Sequence, residues 1–228
     1  MDTLMSPFEQ KGVLVATYKK SQALYALWRT LNNPALLGER ERPPAIFSRR
    51  FDKLLSVDIP LLPEERAGQA GQDNQFTADQ VFLMAVALVI MDSGLGLGAT
   101  GFFICTARES LKQRYHAIME RPMSWLPEKE SSLEKDKRVY LLFQNKDIQE
   151  FYPEYDWSKV NGWSGKGRPP LIINPVYVSG LDDLKTYLDT CLQNGTHNHV
   201  LVIELAKMAS VLTHYLEHAP IVTRGRHK

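Results

Sequence analysis

Thr77, with Gln80 three positions on and an unbroken apolar run from Val81 to Met91, constrains this chain more than any other stretch. The spacing predicts a capping box, in which the hydroxyl accepts from an orphan N–H and the amide reaches back. Asp79 adds negative charge to the first turn, where the helix dipole favours it. Gly94 is well placed to end the helix in a left-handed conformation. The run therefore reads as a buried helix. A short apolar run also fits a central strand, and with that assignment the whole chain would be one α/β domain.

Other elements group around this helix. Leu14, Tyr18, Leu24, Tyr25, Trp28 and Leu31 recur at a helical period from about Gly12 to Leu31. That stripe could pack on its own domain or on a second copy of the chain. Arg40 to Pro44 forms a polar break before a short helix expected over Ile46 to Val57, which carries Ser48-Arg49-Arg50. Two prolines keep Asp58 to Pro63 extended or turning. Ala67 to Gln75 is small and polar, and its two glycines suit a hairpin tip. A second helix is expected from about Ala99 to Met119.

Composition shifts to Pro, Ser, Glu and Lys between Glu120 and Lys137, which marks the best candidate domain boundary. Beyond it, Arg138 to Phe143 and Pro170 to Ile173 read as strands, and Val200 to Ile203 as a third. Leu181 to Leu192 and Leu205 to His218 read as helices, and Thr223 to Lys228 as a basic tail. The expected class is α+β. Residues 1–39 form an N-terminal segment whose helix serves packing or dimerisation, and a mostly helical unit spans 40–122. A linker over 123–137 then leads to a smaller α/β domain over 138–228.

Three motifs suggest chemistry and each has an ordinary explanation. Gly96-Leu97-Gly98-Ala99-Thr100-Gly101 spells a dinucleotide fingerprint, which requires a preceding strand and an acidic residue about 20 positions on. A turn between two helices accounts for the same glycines. His214-Tyr215-Leu216-Glu217-His218 spells an inverted zinc-peptidase motif. Its surroundings, Val211, Leu212, Tyr215 and Leu216, fit a packed amphipathic helix instead. His197 and His199 read as solvated loop histidines. Ser164 to Arg168 has lysine and glycines but not the spacing of a phosphate loop. With no nucleophile–base pair in view, the chain is expected to be a non-enzyme without cofactor or metal.

The net charge of +1 gives no global basic field, so any nucleic-acid surface must be a local patch. The two cysteines, Cys105 and Cys191, lie in apolar stretches, which suits a reducing compartment. No secretory signal pattern opens the sequence, and Val81 to Met91 is about half of the roughly 20 residues a bilayer crossing needs. A cytoplasmic location is the expectation.

Leu61-Leu62-Pro63, the polar loop to Gln75, Phe76, the helix from Ala78, Gly94, and Leu95 with Leu97 fall in a telling order. From Leu61 to Ile104 this order resembles the second half of the winged helix-turn-helix DNA-binding domain of MerR-family transcription regulators. The resemblance implies that Phe76 anchors a wing and that Gly94 permits a tight helix–helix turn. It implies DNA-binding residues at Ser48, Arg49, Arg50 and Lys53 on a helix entering the major groove, with Arg66 in the wing. These arginines lie several positions from where the family carries its own. The expected function is a transcription regulator on double-stranded DNA, a possible homodimer with a dimerisation or sensing C-terminal domain. The other class is a protein–protein adaptor engaging a partner through Phe151, Tyr152, Tyr155 and Trp157.

Overall fold

In a computed structural model of the chain, the structure describes residues 16–32, 42–67, 73–121, 136–143, 146–147, 170–171, 175–193 and 200–220. They form a mixed α+β structure. Its helices are α1 (Lys20–Leu31), α2 (Ala45–Leu55), α3 (Ala78–Asp92), α4 (Leu97–Met119), α5 (Leu181–Gln193) and α6 (Leu205–Glu217). Its strands are β1 (Thr17–Lys19), β2 (Gln75–Thr77), β3 (Val139–Phe143), β4 (Lys146–Asp147), β5 (Pro170–Leu171), β6 (Val176–Ser179) and β7 (Leu201–Glu204).

The capped apolar run is a helix, not a strand. The backbone N–H of Thr77 donates to Gln80 Oε1 at 2.9 Å, and the Thr77 hydroxyl donates to Asp79. Val81 through Leu88 are all buried, as expected for a helix that is apolar on every side. Gly94 has φ +100°, and its N–H donates to Met91 O at 3.1 Å. A side chain at that φ would be strained, which is why glycine stands there. Gly96 then caps α4, with Gly98 and Gly101 inside it, so the glycine motif is a turn between two helices.

The first segment differs from its helical period. Thr17–Lys19 is a strand paired antiparallel with β2, with Tyr18 opposite Phe76, and the helix starts only at Lys20. Both strands run directly into helices whose third residue is glutamine. Gln22 Oε1 accepts from Lys19 N at 3.0 Å, as Gln80 does for Thr77. The glycines of the hairpin tip expected over Ala67 to Gln75 lie outside the described residues, and β2 does not pair across that loop. Its partner is β1, and the chain before the loop is a 3-10 turn over Pro63–Glu65. Residues 68–72 lie outside the described set.

The stripe on α1 packs within its own chain. Trp28 is buried with Ala23, Ala26 and Leu27 in one core with α3, α4 and α6, and Tyr18, Leu24, Tyr25 and Leu31 pack against it partly buried. That core also contains Leu141 from β3 and Ile203 from β7, so it extends past the compositional shift at 120–137. Tyr115 in α4 and Thr213 in α6 share a hydrogen bond of 2.8 Å. Ser110 and Tyr177 share another of 2.8 Å, and the Arg114 guanidinium lies 4.8 Å from the Tyr177 ring centre. The C-terminal sheet is thus docked on α4.

That sheet is antiparallel, in the order β6–β3–β7. Both faces of β3 are covered: Leu141 joins the main core, while Tyr140 and Leu142 pack with Val178 and Leu184. This explains why the strand is apolar at successive positions rather than alternating. Strand β6 was not expected, although Val176, Tyr177 and Val178 carry β-branched and aromatic residues. At Pro170–Ile173 only 170–171 are described, and they pair with β4.

Asp136 secures the start of α5. Its carboxylate accepts from Arg138 side-chain nitrogens at 2.6 to 3.0 Å and from Leu181 N at 2.9 Å. The Arg138 hydrogen bonds, followed by backbone donors including Leu181 N, outweigh desolvation and hold its pKa at about 2 against an ordinary 3.8. An acid with a depressed folded-state pKa stabilises the fold above its ordinary pKa and loses that stabilisation as pH falls. The stability difference between the wild type and Asp136→Asn should therefore shrink between about pH 5 and pH 2. Urea midpoints across that range test it; a constant difference would show that the charge on Asp136 contributes nothing.

Candidate nucleic-acid interface

Helix α2 is amphipathic, and its two faces are sharply different. Phe47, Phe51 and Leu54 are buried, and the Phe51 ring meets Phe76 edge-on with centres 5.7 Å apart. Phe76 is fully buried and held by strand β2. The seat of α2 is thus set from the other side of the polar loop. Ile46, Arg49 and Lys53, at i, i+3 and i+7, fall within about 60° of one another around the helix and point to solvent.

The candidate residues separate into two groups. Arg49 and Lys53 are exposed, and among the described residues neither has a carboxylate within ion-pair distance. Ser48 is half-buried on the flank. Arg50 is turned toward α3, where it pairs with Asp92 and reaches Leu88 O at 3.4 Å. Asp52, the acid on the exposed side of α2, is paired with Lys20.

Arg66 lies at the root of the polar loop and points back to α2. It donates to Leu55 O at 2.7 Å and pairs with Asp58, whose φ is +60°. Ala67 N donates to Asn74 Oδ1 at 2.9 Å and draws the two ends of the loop together. So Ser48, Arg49, Arg50 and Lys53 share one helix, while Arg66 joins the end of that helix to the loop.

One functional-looking residue escaped sequence reasoning. Arg108 in α4 is 6% exposed, and it donates to Pro60 O and, at 2.7 Å, to Asp58 O. It also lies 3.6 Å from Glu65. The turn between α2 and the loop is therefore gripped by Arg66 from within and by Arg108 from α4. Its position in an amphipathic stretch gives no sign of this, because the carbonyls it meets are distant in sequence.

The histidine motif forms a side-by-side pair. His214 and His218 rings are 4.4 Å apart, and His218 Nδ1 lies 2.7 Å from His214 O. Cys105 is half-buried, and burial pushes its thiol pKa up, making it a poorer nucleophile at neutral pH. The aromatic loop with Phe151, Tyr152, Tyr155 and Trp157 lies outside the described residues, as do residues 164–168, His197, His199 and the basic tail. Among the described residues no helix is long and apolar enough to cross a membrane. No protein-family model, curated protein or solved structure matches the chain.

Proposed function

We propose that the chain binds double-stranded DNA through α2 and the loop that follows it, as a transcription regulator of winged helix-turn-helix type. It works by binding and not by catalysis. The observation that carries this reading is the outer face of α2. Among the described residues its cations Arg49 and Lys53 have no carboxylate partner, while the acid beside them, Asp52, is paired with Lys20. A rigid seat of Phe47, Phe51 and Leu54 against Phe76 supports that face.

The order of elements adds support. From Leu61 onward a proline turn, a polar loop, an anchoring aromatic, a capped helix and a glycine turn follow one another in the order of the MerR resemblance, with α2 just before them. Arg49 and Lys53 would donate to phosphates or base edges in the major groove. Arg50 and Arg66, committed to Asp92 and to Asp58 with Leu55 O, would set the geometry of helix and loop. The C-terminal sheet, docked on α4, is the dimerisation or sensing part of this reading.

Salt dependence tests the proposal. Wild-type binding to random duplex DNA should weaken steeply as salt rises, because neutralising phosphates releases counterions. In Arg49→Ala/Lys53→Ala the log–log slope should be shallower by about 0.9 for each phosphate left without its cation. Both residues are exposed, so thermal stability should be nearly unchanged. Absence of binding at low salt would sink the reading. An unchanged slope would remove α2 from the interface.

A further inference from the structure

Ile46 is 71% exposed, the most exposed of the large apolar side chains among the described residues. It occupies the first turn of α2, one turn before Arg49 and two before Lys53 on the same face. Arg42, also exposed, lies just before the helix. An isolated apolar side chain on a surface needs no explanation. This one is different in sharing its helix face with Arg49 and Lys53, which no described carboxylate neutralises, on a helix whose opposite face is fixed in the core.

Such a face is poorly suited to a second apolar protein surface, since docking would bury Arg49 and Lys53 without partners. It suits a polyanion whose grooves also offer apolar groups. The major groove of DNA does so at one base, thymine, whose 5-methyl group projects between the phosphate rows. Charge complementarity and the apolar group therefore select the same occupant.

We propose that Ile46 is a specificity-determining residue that packs on a thymine methyl group in the major groove, while Arg49 and Lys53 hold the flanking phosphates. This rests on the DNA-binding reading above and adds a base preference to it. With no hydrogen-bonding group, Ile46 would distinguish thymine from other bases only by packing on the methyl. Its contribution should be absent from the salt slope, which counts charges.

The test uses a duplex selected by the full-length wild-type chain from a random pool. Each thymine in that site is then replaced in turn by uracil, which removes only the methyl group. Wild-type affinity should fall about three- to tenfold at one thymine, the effect of one methyl group no longer buried. Ile46→Ala should bind the thymine duplex that much more weakly and be indifferent to uracil at that position. Its salt slope and melting temperature should match the wild type.

A selected site without thymine, or a wild type indifferent to every uracil, would overturn the proposal and leave the DNA-binding reading standing. The same holds if Ile46→Ala stays as uracil-sensitive as the wild type. A wild type that binds no duplex at low salt would overturn both.

Discussion

Replacing Phe76 by alanine is expected to cost about 3–5 kcal/mol of folding stability, the range for truncating a fully buried aromatic residue. The side chain is 0% exposed, so its apolar area is wholly withdrawn from water. It meets Phe51 edge-on, an arrangement that adds about 0.5–1.5 kcal/mol beyond burial alone. Collapse around the cavity would be resisted from two sides. The backbone of Phe76 is paired with Tyr18 of β1, and Phe51 lies on a helix tied through Arg50 to Asp92. A small domain has about 5–15 kcal/mol in total, so the variant should be partly unfolded or melt far below the wild type. Urea denaturation with an unchanged m-value would measure the loss. Phe76→Leu, which keeps most of the volume, should recover more than half of it. A cost below about 1 kcal/mol for Phe76→Ala would mean that α2 has no fixed seat there. The outer face of α2 would then not be a rigid surface, and the proposed interface would lose its support.

How much of this was legible in the sequence depends on the distance over which each feature is decided. The α3 helix could be read because its determinants are local: Thr77 and Gln80 at one end, Gly94 at the other, and continuous apolar residues between. The amphipathic period of α2 likewise marks Phe47, Phe51 and Leu54 as one face. Strand β1 could not be read, because nothing within Thr17–Lys19 announces a partner, and Tyr18 fits the helical stripe equally well. Its pairing with Gln75–Thr77 is settled only when the chain returns. The same reason hid the commitments of the arginines. Arg50 and Arg66 look like free cations in sequence, yet each meets an acid supplied by another turn or helix. Arg49 differs from Arg50 only in its angle around α2, and that angle leaves one in solvent and directs the other toward α3. Helix periodicity gives the relative angle, but the location of the core must be known before it assigns a role.

Arg108 should show the second large effect. Arg108→Met keeps much of the side-chain volume but removes every donor, leaving the carbonyls of Asp58 and Pro60 without their partner inside the fold. An unsatisfied buried acceptor costs about 1–3 kcal/mol, so with two carbonyls a loss of about 2–6 kcal/mol is expected. Two sources could supply that loss: the carbonyl hydrogen bonds, or the charge pair with Glu65. The geometry favours the first. Glu65 lies 3.6 Å away with its side chain 32% exposed, so water can replace the guanidinium at the carboxylate. Solvent-accessible ion pairs contribute about 0–1 kcal/mol. Glu65→Gln alone should therefore cost less than about 1 kcal/mol and respond to salt, whereas the Arg108→Met loss should be nearly independent of salt. In the double variant the two losses should be almost additive. Equal losses in the two single variants, with no further loss on combining them, would make the ion pair the essential element instead. Because Arg108 grips the turn that joins α2 to the polar loop, Arg108→Lys also tests the proposed interface. One ammonium cannot reproduce the fork that reaches both carbonyls. It should recover part of the stability, while DNA affinity stays below that of the wild type if the loop must be held in register with α2.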